Sequence, residues 1–555
     1  MKTSGTALLL LATLAAGGAA EDPLAPLDAS AFTPEHAAHL LRRAGFAGTR
    51  AEVAALHARG LAGAVDSLLD WQGRPDPGLP SLEITVTEKP DRAMYQGKSE
   101  EERQRIQQDY RRRDGRQLLE IREWWMRAMV KSAFPLRERM TLFWHGHFTS
   151  SYRDVRDSYH IFLQNTLLRR HAAGNFAELL HAVSKDPAML EYLDNRSNRR
   201  QNPNENYARE VMELFTMGTG NYTEEDVKEA ARAFTGWTFQ GNRFVFNRRD
   251  HDPGTKTFLG RKGEFDGDDI LEIILAQPAT ARTVAAKIFR YFAHDAPSEA
   301  LCDALGKTLR DAKYELQPLL RAIFLSREFY APRSVAKGIK GPVEFVASLY
   351  RSLDLDVPRL PLLAAIAASL GQSLFDPPNV KGWDGGRDWI TTSHLLARYN
   401  VAAAIVGLPE DRSRAAQGGR RAPPLKQLDG KSRNRPEEGG AMEGEIDGEE
   451  MGRMAGSEEE RAFEQARRDF AQGRAMGGTY DVAADVRRLG LATQEAIVDH
   501  FAAALLAAPP SPALRTSLLA TLGGGGAHDP ANPQAAQRLH ALLRMIVSTP
   551  EFQLN

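Results

Sequence analysis

The sequence predicts a mainly α-helical globular protein with long loops. Proline and helix-capping residues recur just ahead of apolar residues at helical spacing, and the apolar–polar alternation typical of strands is scarce. Residues 243–247 alternate most clearly and predict one arm of a short β-hairpin. These observations favour a multi-helix assembly over a parallel α/β sheet.

The individual helices are predicted from their start signals and their apolar stripes. Residues 118–130 place Ile121, Trp125 and Met129 at helical spacing and predict a helix of their own. Gly218 and Gly236 are predicted to end the helices that precede them. The other predicted starts are Thr33-Pro34, Pro135, the capping box Asn202-Pro203-Asn204-Glu205, Thr223-Glu224-Glu225-Asp226 and Asp266-Gly267-Asp268-Asp269.

The first residues predict a signal peptide over residues 1–20. Lys2 supplies the positive charge, residues 7–16 form a short apolar run, and Gly17-Gly18-Ala19-Ala20 supply small residues for cleavage. The apolar run is too short to serve as a membrane anchor. We therefore expect export to the periplasm or the extracellular space, and no integral membrane span in the mature chain.

Composition divides the rest of the 555-residue chain. Residues 30–408 are predicted to form a helical main domain. Residues 409–478 are rich in Gly, Arg, Glu and Pro and poor in large aliphatic residues, which predicts a disordered, low-complexity insertion. Residues 479–555 resume helical patterning and are predicted to pack back onto the main domain.

Charge and cysteine content exclude some classes of function. The chain has 71 Lys and Arg against 72 Asp and Glu, so no overall field attracts nucleic acid, and we expect none to bind. Cys302 is the single cysteine, which rules out an intramolecular disulfide and a thiolate metal cluster. Its apolar neighbours predict a buried structural residue.

His145 and His147 are the first candidate site residues. On a continuous helix they would point about 200° apart, so they could share a metal only if Gly146 breaks the helix between them. The alternative is that both cap the helix C-terminus.

A second candidate is the polar stripe that follows Pro203. Asn206, Arg209, Glu210 and Glu213 keep the i, i+3, i+4, i+7 spacing of one helix face. Such a stripe supplies carboxylates for a metal or for acid/base chemistry if it is buried. The alternative is a solvated face on which Glu205 completes the capping box and Arg209 bridges to a glutamate.

Two loops complete the candidate set. His251-Asp252 is either a ligand or acid/base pair, or ordinary turn chemistry ahead of Pro253-Gly254. Trp383 and Trp389 lie on a proline- and glycine-rich loop, where they either stack on sugar rings or anchor the loop to the core.

Five motifs occur in order along the chain. They are Trp144-His145-Gly146-His147-Phe148, Asn204-Glu205-Asn206-Tyr207-Ala208-Arg209-Glu210, Ala233-Phe234-Thr235-Gly236-Trp237, His251-Asp252 and Val380-Lys381-Gly382-Trp383. Together they resemble the bacterial family catalogued as domain of unknown function 1800. This resemblance implies an exported, helical protein, often encoded beside a sulfatase-like or phosphatase-like exported partner, and it implies no particular reaction.

The leading hypothesis is a polar pocket that holds a divalent metal and hydrolyses its substrate with metal-activated water. The alternative is a non-catalytic envelope protein that binds a glycan or a sulfatase-like partner through the Trp383 loop and the 409–478 insertion. The residues predicted to line the pocket are His145, His147, Glu210, Glu213, His251 and Asp252.

Overall fold

The architecture is known from a computed structural model, and the fold is mainly α-helical, as the sequence predicts. The predicted signal peptide and the predicted 409–478 insertion lie outside the described residues. The structure describes residues 22–86, 89–90, 93–357, 362–407, 480–532 and 534–555.

The helices fall into an N-terminal series, a central series and a C-terminal series. The first comprises α1 (Pro34–Ala44), α2 (Arg50–His57), α3 (Gly60–Leu69), α4 (Glu100–Lys131), α5 (Pro135–His147), α6 (Tyr152–Val155), α7 (Ser158–Arg170), α8 (Phe176–Ser184), α9 (Pro187–Tyr192), α10 (Asn206–Glu210) and α11 (Glu224–Ala233). The second comprises α12 (Gly267–Leu275), α13 (Pro278–Phe292), α14 (Glu299–Asp311), α15 (Leu316–Leu325), α16 (Pro342–Ser352), α17 (Leu363–Ser369) and α18 (Thr392–Val406). The third comprises α19 (Val482–Arg488), α20 (Gln494–Leu505), α21 (Pro512–Leu522) and α22 (Ala535–Val547).

Local capping explains several of these starts. The hydroxyls of Thr33 and Thr223 accept hydrogen bonds from His36 N and Asp226 N, and the carboxylate of Asp266 caps α12 in the same way. The predicted helix over residues 118–130 is only the end of α4, which begins at a capping box on Ser99. The first half of α4 contains few apolar residues, so the sequence shows no apolar stripe from which this part of the helix could be predicted.

The predicted start at Asn202-Pro203-Asn204-Glu205 is wrong by one turn. Helix α10 begins at Asn206, and Glu205 makes no capping hydrogen bond through its side chain. Asn204 precedes the helix start instead: its side-chain Oδ1 accepts from Asn206 N at 3.0 Å, and its backbone N donates to Asn198 Oδ1. The chain is therefore not yet helical at Pro203.

Two small antiparallel hairpins are the sheets of the described chain. The predicted arm becomes β2 (Arg243–Phe246), which pairs with β1 (Trp237–Gln240) so that Trp237 lies opposite Phe246. A second hairpin joins β3 (Lys256–Phe258) to β4 (Arg261–Gly263). The sequence did not predict it, because three-residue strands rich in lysine and arginine carry no apolar alternation.

Two hydrophobic cores share α5. The first core lies among α1, α3, α8 and α11 to α15, and the second among α4, α16 to α18 and the four C-terminal helices. Met140, Phe143 and Trp144 of α5 belong to the first core, whereas Leu142 faces the second. Cys302 is buried, as expected. Within the described ranges, no helix has the length and apolar character needed to cross a membrane.

Candidate functional site

The Trp144–Phe148 motif forms the last turn of α5 and does not contain a helix break. The helix continues through His147 and includes Gly146, with Phe148 as its C-cap residue. The break at Gly146 that a shared metal would require is therefore not present. The two rings leave opposite sides of α5 and enter different surroundings.

His145 is packed among aromatic rings. It is 2% exposed and lies edge-on to Trp125 and Phe375 at centroid distances of 5.4 and 5.2 Å. Its Nε2 accepts a hydrogen bond from Phe375 N at 3.1 Å, which places the proton on Nδ1. Burial, with a smaller contribution from Arg122, lowers the pKa of His145 to about 3. The residue is a neutral imidazole that anchors the segment around Phe375.

His147 caps a different helix. Its Nε2 donates to the carbonyl of Phe215 at 3.0 Å, and its ring stacks on Phe143. Burial and the nearby Lys287 hold the pKa of His147 well below its usual range. Both histidines are thus occupied by backbone partners, and the described residues contain no group of three or more His, Cys, Asp or Glu that could hold a metal ion.

The segment capped by His147 is a π-helix, Val211–Phe215, that directly continues α10. Lys287 donates to the carbonyl of Leu214, and the Thr216 hydroxyl donates back to the carbonyl of Val211. These bonds satisfy carbonyl groups that the wider helical turn leaves without an i+4 partner. Short π-helical turns are frequent at functional sites.

The Val380–Trp383 motif closes onto the end of α5. Gly382 has φ +82°, and a Cβ there would lie 2.6 Å from Gly146 O, so only glycine allows this approach. The Thr149 hydroxyl donates to Val380 O at 2.7 Å, and the Trp383 ring contacts His145 at a centroid distance of 5.5 Å. A Cβ on Gly146, by contrast, would meet nothing within 4 Å. The surface in front of Gly146 is open.

Glu210 ends α10 at this same place. Its carboxylate is half-buried and makes no hydrogen bond or salt bridge to any residue in the described part of the chain. Burial raises the pKa of Glu210, and neighbouring Glu213 raises it further, while Lys381 and Arg209 oppose the shift. Tyr192 is also within electrostatic range, lies beside Thr149, and has its pKa raised to about 12 by burial and by nearby acids.

We call this meeting point the motif junction. It combines residues from three of the sequence motifs with Tyr192, which packs against both hydrophobic cores. Lys381 lies inside a motif that the sequence highlights, but Thr149 and Tyr192 carry no signal that sequence reasoning could have found. The motif junction consists of Gly146, Thr149, Tyr192, Glu210, Glu213, Lys381 and Trp383.

The other residues of the predicted stripe are used structurally. Asn206 donates through its Nδ2 to the carbonyl of Leu193 at 3.2 Å. Arg209 forms salt bridges with Glu224 at 2.7 Å and Glu205 at 3.2 Å. Glu213 accepts a hydrogen bond from the Tyr222 hydroxyl at 2.8 Å. Within the predicted stripe, Arg209 therefore belongs to a salt-bridge network, whereas Glu210 and Glu213 belong to the motif junction.

His251 and Asp252 form a turn that closes on Thr235. The Nδ1 of His251 donates to Thr235 O at 3.0 Å, and Asp252 N donates to the Thr235 hydroxyl at 2.8 Å. Asp252 pairs with Arg232 at 2.7 Å. Burial by itself would raise the pKa of Asp252, but the hydrogen bond and charge of Arg232 outweigh it, so the pKa is lowered. These contacts agree with the interpretation of His251 and Asp252 as turn residues. They bind the two residues to Thr235 and Arg232.

The two tryptophans of the loop have different roles. Trp389 is 9% exposed and lies against Gly341 and Gly385, so it anchors the loop. Trp383 is partly exposed at the motif junction. Of these two loop tryptophans, Trp383 is the one whose ring a ligand could reach.

Fold and site together define a mainly helical protein with two hydrophobic cores and a polar junction at which three of the sequence motifs meet. A family model described as protein of unknown function (DUF1800) matches residues 39–554. The match spans nearly the whole chain, so the protein belongs to this family, which confirms the resemblance seen in its motifs. No curated protein and no solved structure matches the chain.

Proposed function

We propose that the protein is exported and hydrolyses a glycan of the cell envelope at the motif junction, with Glu210 as its general acid. The observation that carries this proposal is the Glu210 carboxyl itself. It is half-buried, lacks a hydrogen-bond or salt-bridge partner among the described residues, and lies beside a second carboxylate. The signal-peptide pattern of residues 1–20 supports export.

The environments of the two carboxylates suit different roles. The raised pKa of Glu210 favours a protonated carboxyl that can donate to the oxygen of a departing sugar. Glu213 accepts a hydrogen bond from Tyr222, and in this mechanism it takes the proton from the attacking water. The water hydroxyl joins the sugar carbon, the glycosidic bond breaks, and the leaving oxygen keeps the proton from Glu210.

A glycan is favoured over other substrates by the aromatic ring at the site. Trp383 presents a partly exposed indole next to the open surface of Gly146, and aromatic rings pack well on the apolar faces of sugars. Tyr192, which is partly exposed and within electrostatic range of Glu210, supplies a hydroxyl group. A chain of hydroxylated rings can use all of these groups.

This proposal rests on the carboxylates and not on a metal held by the six predicted ligands. The Nε2 atoms of His145 and His147 are bonded to backbone groups, and His251 and Asp252 are bound to Thr235 and Arg232. In the described part of the chain, these side chains form no group of three or more that could hold a metal ion.

The test compares three proteins on isolated envelope glycans, peptidoglycan first, by counting newly formed reducing ends. Glu210→Gln keeps the shape of the side chain but cannot donate an acidic proton, so we expect cleavage to fall about 10²- to 10⁴-fold. The matched control is Glu225→Gln, an exposed glutamate of α11 outside the motif junction, which should keep full activity.

Two outcomes would contradict the proposal. Equal cleavage by the wild type and Glu210→Gln would remove Glu210 from the chemistry. Tight glycan binding without cleavage by the wild type would assign the motif junction to a non-catalytic binding protein, which is the second function that the exposed Trp383 ring supports.

A further inference from the structure

The π-helix Val211–Phe215 is held from outside by side chains of α5 and α13. Lys287 and Thr283 lie one turn apart on α13, and their side chains donate to the carbonyls of Leu214 and Met217, the second bond at 2.9 Å. From the end of α5, an imidazole bonds to the last carbonyl of the π-helix at 3.0 Å. These three side chains, which we call the π-clamp, are His147, Thr283 and Lys287.

Lys287 is an unusual donor for a backbone carbonyl. Burial, with a smaller contribution from Arg290, lowers the pKa of Lys287 to about 8. Its ammonium group bonds to the Leu214 carbonyl and forms no salt bridge with a carboxylate of the described ranges. A desolvated ammonium group without a carboxylate is unfavourable, so an apolar residue would stabilise the fold at least as well. The presence of lysine here therefore indicates a use for its bond to Leu214.

The width of the π-helical turn determines where Glu213 lies relative to Glu210. On an α-helix, residues three apart are neighbours on one face. All three steps from Glu210 to Glu213 lie in the π-helix, which has more residues in each turn, so Glu213 is rotated away from that position. It accepts from the Tyr222 hydroxyl at 2.8 Å and stays within electrostatic range of Glu210. The turn therefore sets the spacing of the two carboxylates.

We propose that Lys287 is a positioning residue of the motif junction, which acts through the Leu214 carbonyl to keep Glu213 apart from Glu210. Without this bond, the segment would return to the far commoner α-helical turn, and Glu213 would move beside Glu210. The inference rests on the proposed function in one respect, because it is the hydrolysis that gives the spacing of the carboxylates its use. The positioning itself requires no substrate.

The test is Lys287→Met in the full chain, with a pH titration of the Glu210 side-chain ¹³C signal as the measurement. Methionine keeps an unbranched apolar side chain but cannot donate to Leu214. We expect the pKa of Glu210 to rise, because a second negative charge comes closer to it. The backbone ¹³C shifts of residues 211–215 should change in the same variant. Lys287→Arg, which keeps a cationic donor, should return the pKa of Glu210 towards its wild-type value.

Two control variants on α13 separate positioning from charge and from stability. Arg290→Met removes an exposed positive charge from the same helix. Val284→Ala removes buried apolar atoms and should lower the free energy of unfolding without altering the π-clamp. Neither control should move the pKa of Glu210. Lys287→Gln, whose shorter side chain ends before the Leu214 carbonyl, repeats the test in a variant that keeps a polar group, and it should act as Lys287→Met does.

An unchanged or lowered pKa of Glu210 in folded Lys287→Met or Lys287→Gln would overturn the inference. An equal rise in Val284→Ala would also overturn it, because general loosening of the helix would then explain the change. These measurements are separate from the glycan assay. A wild type that cleaves no glycan would contradict the proposed function, whereas the effect of Lys287 on Glu210 would still be observed.

Discussion

At the scale of single residues, chemically identical side chains have acquired different roles through their neighbours. Glu205 and Glu224 neutralise Arg209, Glu213 accepts from Tyr222, and Glu210 remains without a hydrogen-bond or salt-bridge partner among the described residues. The pKa of Glu210 is raised by burial and by Glu213, and it is lowered by Lys381 and Arg209. Substitution of these neighbours can therefore shift the pKa of Glu210 in either direction.

We predict that two substitutions will move the pKa of Glu210 in opposite directions. Glu213→Gln removes a negative charge that raises this pKa, so the pKa should fall. Lys381→Gln removes a positive charge that lowers it, so the pKa should rise. The measurement is a pH titration of side-chain ¹³C signals in glutamate-labelled protein, with Glu210→Gln used to assign the resonance. Shifts of the same sign in both variants would show that the two groups do not act electrostatically on Glu210.

At the scale of elements, the end of α5 brings the motifs together. Two glycines at this place differ in whether the fold needs a glycine there. Gly146 lies in the helix and faces open space, whereas Gly382 has a positive φ and touches the backbone of α5. Glycine is needed at position 382 for the packing of the loop. At position 146 the fold does not require it.

We predict that Gly146→Ala stabilises the protein and Gly382→Ala destabilises it. Alanine in a helix is favoured over glycine by up to about 1 kcal/mol, and its Cβ at position 146 would meet no atom within 4 Å. At position 382 the Cβ would clash with Gly146 O, and the strain should cost about 1–3 kcal/mol. The measurement is the free energy of unfolding in urea.

Position 146 also provides a test of the proposed site. Gly146→Leu would place a side chain on the open surface, where its Cβ meets no atom within 4 Å, so we expect it to lower glycan cleavage while the protein stays folded. Unchanged cleavage by Gly146→Leu would mean that no substrate approaches this surface.

At the scale of the whole molecule, α5 belongs to both hydrophobic cores. Met140 and Trp144 pack in the first core, Leu142 packs in the second, and Tyr192 at the motif junction contacts both. The C-terminal helices share the second core with α16 and α18. We therefore expect the two cores to unfold together and the junction to be rigid.

We predict that Met140→Ala weakens both cores at once. The side chain is fully buried, and its truncation should cost about 2–5 kcal/mol of unfolding free energy. Hydrogen exchange followed by mass spectrometry should show faster exchange in peptides of α13, in the first core, and of α22, in the second. The control is Leu518→Ala on α21, which should act mainly on the second core. Faster exchange in α13 alone after Met140→Ala would show that α5 does not couple the cores.

The sequence alone determined the fold class, the family, the helix starts at Thr33, Thr223 and Asp266, and strand β2 as one arm of a hairpin. Each depends on residues close together in the chain, because caps and alternation act over a few positions. Only the tertiary structure determined which of the candidate site residues lie close together and which are separated. The separation of His145 from His147, the π-helix after Glu210 and the approach of Lys381 to Glu210 depend on contacts between distant segments, which no local pattern encodes.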